Sequence, residues 1–220
     1  MIIAALAHQL TGHPDRASAF GATQQDLALK SKNAFLVGLA QAFSADLALR
    51  QGRMAEALAW TDAFDPEPLT PMYGFMSPPT VLAKILVLAD TEEARKKAQH
   101  YLERLVAYLE SINNKHFLAE ALAIRSMLLD ALGDSAAARR DLERAVKLAQ
   151  PGRYIRLFVD LGPRFGSLLS RLDVDEETLL YVGEILAEFR QNPAVAAKQS
   201  DLASSILPRL GVEPLSRREQ

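Results

Sequence analysis

Four alanines recur along the chain at an almost constant spacing. They are Ala17, Ala57, Ala98 and Ala138, and each lies in an apolar pattern of helical period. A fixed period of about 40 residues predicts an array of helix pairs, because stacked neighbours bury the apolar stripe that one pair cannot bury alone. A small residue such as alanine is expected at a position where two helices approach closely. The repeat therefore constrains the fold more than any other feature.

A glycine precedes three of these alanines by five residues and suits the left-handed cap that ends a helix. In the third repeat, Glu93 stands at the place of the glycine. Composition agrees with a helical chain, since Ala and Leu each occur 35 times in 220 residues while Gly and Pro together give 22. We predict an all-α, right-handed helical-repeat solenoid of about four helix pairs with a period near 40, followed by a C-terminal helical extension.

Charge and cysteine content exclude several classes of function. The formal net charge of −2 gives no global electrostatic basis for binding nucleic acid or an anionic membrane. The chain has no cysteine, which excludes a disulfide framework and a thiolate metal site and fits a reducing compartment. No apolar run approaches the length that a membrane span needs, and no basic residue precedes the apolar start. We expect a cytoplasmic protein.

Apolar periodicity and cap residues place the individual helices. The predicted helices cover residues 1–10, 34–50, 54–64, 78–89, 91–112, 117–132, 136–150 and 176–190. We predict a repeat domain over 1–150, an extension packed on the solenoid over 151–191, a linker over 192–211, and the start of a further domain over 212–220.

The segment 65–79 carries five prolines, which forbid a helix there. It is also unusually apolar for a loop, with Tyr73 and Phe75 among its side chains. Long loops in compact folds are often functional, so these two residues are candidates for a flap over a binding groove. The alternative is that they fill a gap between the second and third repeats.

A search for catalytic and metal-binding patterns finds none. The histidines form no metal-ligand spacing, and His8 and His13, five residues apart, would diverge on a helix. No phosphate-binding loop and no nucleophile elbow occur. We expect no enzyme, no cofactor and no metal.

The first helix of each pair is expected to line the concave face of a solenoid, which is the usual binding surface. Polar residues of these helices are therefore candidates for binding an effector or partner: Asn33, Gln41, Lys84, His116, Glu120 and Arg125. Arg153 and Arg156 follow the repeats with few acids nearby, and they are candidates for contacting a neighbouring module or an anionic effector.

Two segments near the end carry a resemblance to a known family. The stretch from Gly152 to Leu172 resembles the "GYxRxFxDxGPxxxxLL" segment that closes the tetratricopeptide-like domain of large ATP-dependent LuxR-family regulators, the MalT-like family. The tail EPLSRREQ, residues 213–220, is similar to the opening of the LuxR-type helix-turn-helix, and Ser216 with Glu219 matches a capping box. The resemblance extends from about Gly12 onward.

This resemblance implies a tetratricopeptide-like module that senses an inducer, associates with itself or a protein partner, and controls attached ATPase and DNA-binding modules. The chain lacks the phosphate-binding loop and ends at Gln220 before a recognition helix, so ATP hydrolysis and direct nucleic-acid binding are not carried over. A free-standing scaffold that binds an extended peptide is the alternative, and an enzyme is a third hypothesis that no motif supports.

Overall fold

The computed structural model describes residues 1–67, 69 and 76–191, and within them the chain is built from α-helices and one short 3-10 turn. The chain divides into two compact units, residues 1–148 and the residues from Ala149 onward. The helices are α1 (Ile2–Leu10), α2 (Pro14–Ser31), α3 (Ala34–Arg50), α4 (Met54–Ala63), α5 (Pro78–Ala89), α6 (Glu92–Ser111), α7 (Lys115–Ala131), α8 (Ser135–Ala149), α9 (Ile155–Val159), α10 (Pro163–Leu169) and α11 (Glu176–Gln191).

The first unit is the predicted array of helix pairs. Short turns join α1 to α2, α3 to α4, α5 to α6 and α7 to α8, and α3, α5 and α7 pack side by side as one layer. The four repeated alanines each lie on the second helix of a pair and are 0, 0, 0 and 1 % exposed. Their burial confirms that the alanine period marks the points where helices pack closely.

Three of the turns within pairs use the predicted glycines. Gly12, Gly52 and Gly133 adopt φ angles of 79°, 79° and 85°, which cost a residue with a Cβ more than they cost glycine. The third pair, which has no glycine at this position, forms its turn differently. There Asp90 takes the left-handed conformation with φ 56°, and α6 begins almost one turn earlier relative to its alanine, so Glu93 lies inside the helix.

Most predicted helix boundaries agree with the structure to within two residues. The bounds of α3 are those expected, and Ser77 caps α5 with Pro78 in the first turn. The Ser77 hydroxyl accepts a hydrogen bond from the Thr80 amide at 3.3 Å. Thr91 and Asn114 cap α6 and α7 in the same way. These caps satisfy amide groups that the helix itself leaves free.

Helix α5 is buried on every side, from Pro79 to Val87. Its sequence is apolar all round apart from Thr80 and Lys84, as expected of a helix without a solvent face. Val81 and Ile85 pack with Ala45, Ala48 and Ala57 of the preceding pair. The central helix therefore places a lysine where water cannot reach it freely.

The second unit, as far as the structure describes it, holds three helices around an aromatic core. Phe158 of α9 and Phe165 of α10 stack with ring centroids 5.4 Å apart, and Tyr181 of α11 meets Phe158 edge-on at 6.4 Å. Gly166 lies against the ring of Phe189, where a Cβ would be 3.4 Å away. The sequence predicted α11. It did not predict α9 and α10, because these helices are too short to show a helical period. The proposed linker 192–211 and the segment 212–220 lie outside the described residues.

Within the described part of the chain, no helix combines the length and the apolar character that crossing a membrane would need.

We expect Ala138→Leu to destabilise the first unit by about 1–3 kcal/mol, because a larger side chain has no room at a close helix contact. Ala136→Leu, in the first turn of the same helix, is the matched control, since Ala136 is exposed. Urea unfolding monitored by circular dichroism measures both. Equal stability of the two variants would show that the alanine period does not mark close packing.

Candidate functional site

The helices of the first layer enclose a small polar cavity, here called the inner cavity. Its volume is about 70 Å³, and apolar side chains of α1 and α3 form one part of its wall. Its polar lining comes from three successive repeats: Asp46 and Arg50 of α3, Thr80 and Lys84 of α5, and Glu120 of α7. A space of this size takes water or one functional group of a ligand rather than a whole drug-sized molecule.

A buried ion triad forms the floor of this cavity. The Asp46 carboxylate accepts a hydrogen bond from Nε of Arg50 at 2.6 Å and forms an ion pair with Lys84. The side chains of Asp46 and Lys84 are 5 and 6 % exposed. Burial by itself raises the pKa of Asp46, but the attractions of Arg50 and Lys84 outweigh it and hold that pKa well below its usual range. Asp46 is therefore ionised at any physiological pH.

Glu120 faces the same triad from α7. Burial raises its pKa, and the nearby negative charge of Asp46 adds to this, while Lys84, Arg50 and a hydrogen bond with Thr80 act in the opposite direction. Lys84 and Arg50 already form ion pairs with Asp46, so both cations near Glu120 are also bound by another carboxylate. Protonation of this one carboxyl changes the net charge of the cavity lining from zero to +1.

Two of the residues that the sequence suggested, Lys84 and Glu120, are brought together in the inner cavity. His116 lies one turn before Glu120 on α7, half-buried, with its ring edge-on to Phe117 at 5.0 Å. Burial lowers the pKa of His116, which favours the neutral ring. It is not part of the cavity wall.

The other candidates on the first helices lie elsewhere. Asn33 is the N-cap of α3, where its side chain accepts the amides of Phe35 and Leu36 at 3.0 and 3.3 Å. Arg125 forms a two-pronged ion pair with Asp141 of α8 at 2.5 and 2.9 Å. Gln41 lines a second and larger cavity between α2, α3 and α4. These three residues do not share one surface with Lys84.

The remaining candidates are in or beside the second unit and the proline-rich segment. Arg153 is exposed and pairs with Glu184 of α11, and Arg156 pairs with Asp160 one turn later. Both arginines thus have carboxylate partners within the second unit. Tyr73 and Phe75 lie outside the described residues, so their role as a flap stays a prediction.

Asp46 and Arg50 were not among the candidates that the sequence suggested. Their signal was present, since they are the only charged residues of α3 and lie one turn apart. A charged pair inside an apolar helical run is costly to bury unless it is compensated, which points to a polar partner on a neighbouring helix. That partner, Lys84, belongs to the next repeat, and only the fold brings it close.

The expectation for the histidines was wrong in one respect. His8 and His13 do not diverge, because α1 ends at Leu10 and the turn brings His13 back, so that the two rings lie 6.2 Å apart edge-on. His8 also stacks on Phe20 at 5.3 Å. In the residues that the structure describes, no three His, Asp or Glu side chains are grouped as ligands for a metal ion.

We expect Asp46→Asn to lower the free energy of unfolding by about 3–5 kcal/mol at pH 7, because it removes the carboxylate that compensates the buried Lys84 and the partly buried Arg50. Asp26→Asn is the matched control, since Asp26 forms the same kind of pair with Lys30 at 2.6 Å but on an exposed surface. It should cost less than about 0.5 kcal/mol. Because the folded pKa of Asp46 is depressed, its contribution is complete above the unfolded pKa of 3.8 and declines as pH falls below it. Chemical denaturation between pH 3 and 7 measures the difference, and equal losses in both variants would contradict the triad.

We expect Glu120→Gln to be more stable than the wild type at high pH and similar to it at low pH. The folded pKa of Glu120 is raised above 4.5, so the folded state binds the extra proton and the wild type loses stability as pH rises through this range. Thermal unfolding at several pH values between 4.5 and 8 measures this, and Glu103→Gln, an exposed acid on α6, is the control. A Glu120→Gln difference that does not change with pH would contradict the pKa shift.

One comparison with known proteins gives a match. The family model described as the MalT-like TPR region, where TPR stands for tetratricopeptide repeat, matches residues 2–175. No curated protein and no solved structure is significantly similar to the chain. The match covers all eight helices of the first unit and continues into the second. The chain therefore belongs to the family of MalT-like TPR regions.

Proposed function

We propose that this chain is the regulatory module of a MalT-like, LuxR-family transcription regulator, which binds an effector or partner on the face formed by α3, α5 and α7. Membership of the MalT-like TPR family supports a role in protein interaction and regulation rather than catalysis. The buried triad and Glu120 support this position of the binding site, because three successive repeats each contribute a polar group to one cavity.

Burying charged side chains costs free energy, which a layer with only a structural role could avoid. Replacing a buried ion pair by apolar residues of similar volume is often neutral or stabilising, so a stabilising role alone does not account well for the triad. A set of fixed, ionised groups at an opening is suited to recognising a polar group of a ligand. In this proposal the cavity receives such a group, while the rest of the ligand lies outside the cavity.

Binding at this place would couple neighbouring repeats. Asp46, Lys84 and Glu120 belong to α3, α5 and α7, so a ligand that contacts all three favours one arrangement of three pairs. The proposed regulator uses this arrangement to control attached ATPase and DNA-binding modules. The helices α3, α5 and α7 pack side by side in one layer, so a shift of one helix on binding is transmitted to the helix of the next repeat.

A thermal-shift screen tests the proposal. The full chain is incubated with a panel of amino acids, sugars, nucleotides and organic acids, and unfolding temperatures are compared for the wild type and Glu120→Gln. A ligand at about one hundred times its dissociation constant stabilises the folded state by about 2.7 kcal/mol, which corresponds to a shift of about 5 °C or more. We expect a compound that gives this shift in the wild type and a clearly smaller one in the variant.

Two results would contradict the proposal. Compounds that stabilise both proteins equally would place binding away from the inner cavity. Binding of extended peptides, with no response to any member of the panel, would favour the free-standing scaffold instead.

A further inference from the structure

A second cavity, here called the outer groove, lies between α2, α3 and α4 and has a volume of about 460 Å³. This volume is within the range of small-molecule sites, whereas the inner cavity is not. Gln25 of α2 and Gln41 of α3 contribute amides, α4 contributes Glu56 and Trp60, and Phe64 follows as the C-cap of that helix. Glu56 and Trp60 are one helical turn apart, which places their side chains on the same face of α4.

The aromatic side chains form a platform in this groove. The rings of Trp60 and Phe64 stack with centroids 4.7 Å apart and planes inclined by 26°. Phe64 is the C-cap that follows α4, and its amide donates to the carbonyl of Trp60 at 3.0 Å, which ties its backbone to the last turn of the helix. Both side chains are only partly buried, which leaves ring surface accessible to a ligand.

The two charged residues that line the groove are both acidic. Glu56 and Asp65 line the groove, and none of the described lining residues is a lysine or an arginine. Arg53, outside the groove, forms an ion pair with Glu56. One oxygen of the Asp65 carboxylate accepts the Glu67 amide at 2.9 Å, which fixes this group at the end of α4. Asp62 also lies on α4, but it faces Lys97 of α6 at 3.8 Å.

We propose that the outer groove binds a small organic cation with an ammonium group. An aromatic face attracts a cation through its quadrupole, most strongly when the face belongs to tryptophan, and neighbouring carboxylates add to this attraction. The two glutamine side chains provide hydrogen bonds to a polar substituent. The groove is independent of the inner cavity and of the effector proposed to bind there.

The sequence offers a direct probe, because Trp60 is the only tryptophan of the chain. Choline is the test ligand, and 3,3-dimethylbutan-1-ol, which has the same shape without the charge, is the control ligand. We expect saturable quenching or a spectral shift of Trp60 fluorescence with choline, up to about 50 mM, which saturates a site of about 1 mM affinity. The uncharged analogue should bind at least about threefold more weakly.

Variants of the full chain locate the site. Glu56→Gln and Asp65→Asn should each weaken choline binding about two- to fivefold, whereas Glu103→Gln, an exposed acid on another helix, should leave it unchanged. Glu120→Gln should also leave it unchanged, because it alters only the inner cavity.

Any of three outcomes overturns the inference: no saturable change of fluorescence, equal binding of the uncharged analogue, or equal losses in the groove variants and Glu103→Gln. A failed metabolite screen at the inner cavity does not affect these measurements. Circular dichroism of each variant confirms that it is folded before its binding is compared.

Discussion

Each helix pair in the first unit carries an apolar stripe that its own two helices cannot cover, and the next pair covers it. The contact depends on close approach, because Ala17, Ala57, Ala98 and Ala138 are almost completely buried where a larger side chain would separate the helices. The core is consequently a row of neighbouring contacts rather than one centre. Ile2 and Ala5 pack with Phe43 and Leu47 at one point of the row, and Ala57 packs with Val81 and Ile85 further along.

The same stacking creates the two cavities. Packing α3, α5 and α7 side by side brings Asp46, Lys84 and Glu120 together in a space of about 70 Å³. Packing α2 and α4 against α3 leaves the larger outer groove, with its Trp60 and Phe64 platform. The two sites differ in chemistry, since one is a nearly closed network of compensated charges and the other is an open aromatic surface beside carboxylates. A polar group suits the first, and an ammonium group suits the second.

Periodicity and caps predicted the bounds of seven of the eight helices of the first unit, whereas α2 was indicated only by the turn at Gly12 and the repeated Ala17. The sequence failed at α9 and α10, since five and seven residues are too few to show a helical period. It also did not identify Asp90 as the left-handed residue of the third turn, because an aspartate gives a weaker signal than a glycine. Of the candidate residues, Lys84 and Glu120 meet, while Asn33 caps a helix and Arg125 joins α7 to α8.

By itself the sequence determined the class of the fold, the number of helix pairs and the position of their close contacts. These follow from local chemistry, namely apolar spacing, caps and small residues, which act over a few turns of the chain. The tertiary structure alone decided which polar residues share a site. Asp46, Lys84 and Glu120 belong to three successive repeats and are distant in the sequence, so their meeting depends on how the repeats stack. The face to which each polar side chain points is fixed by that packing, and no local pattern encodes it.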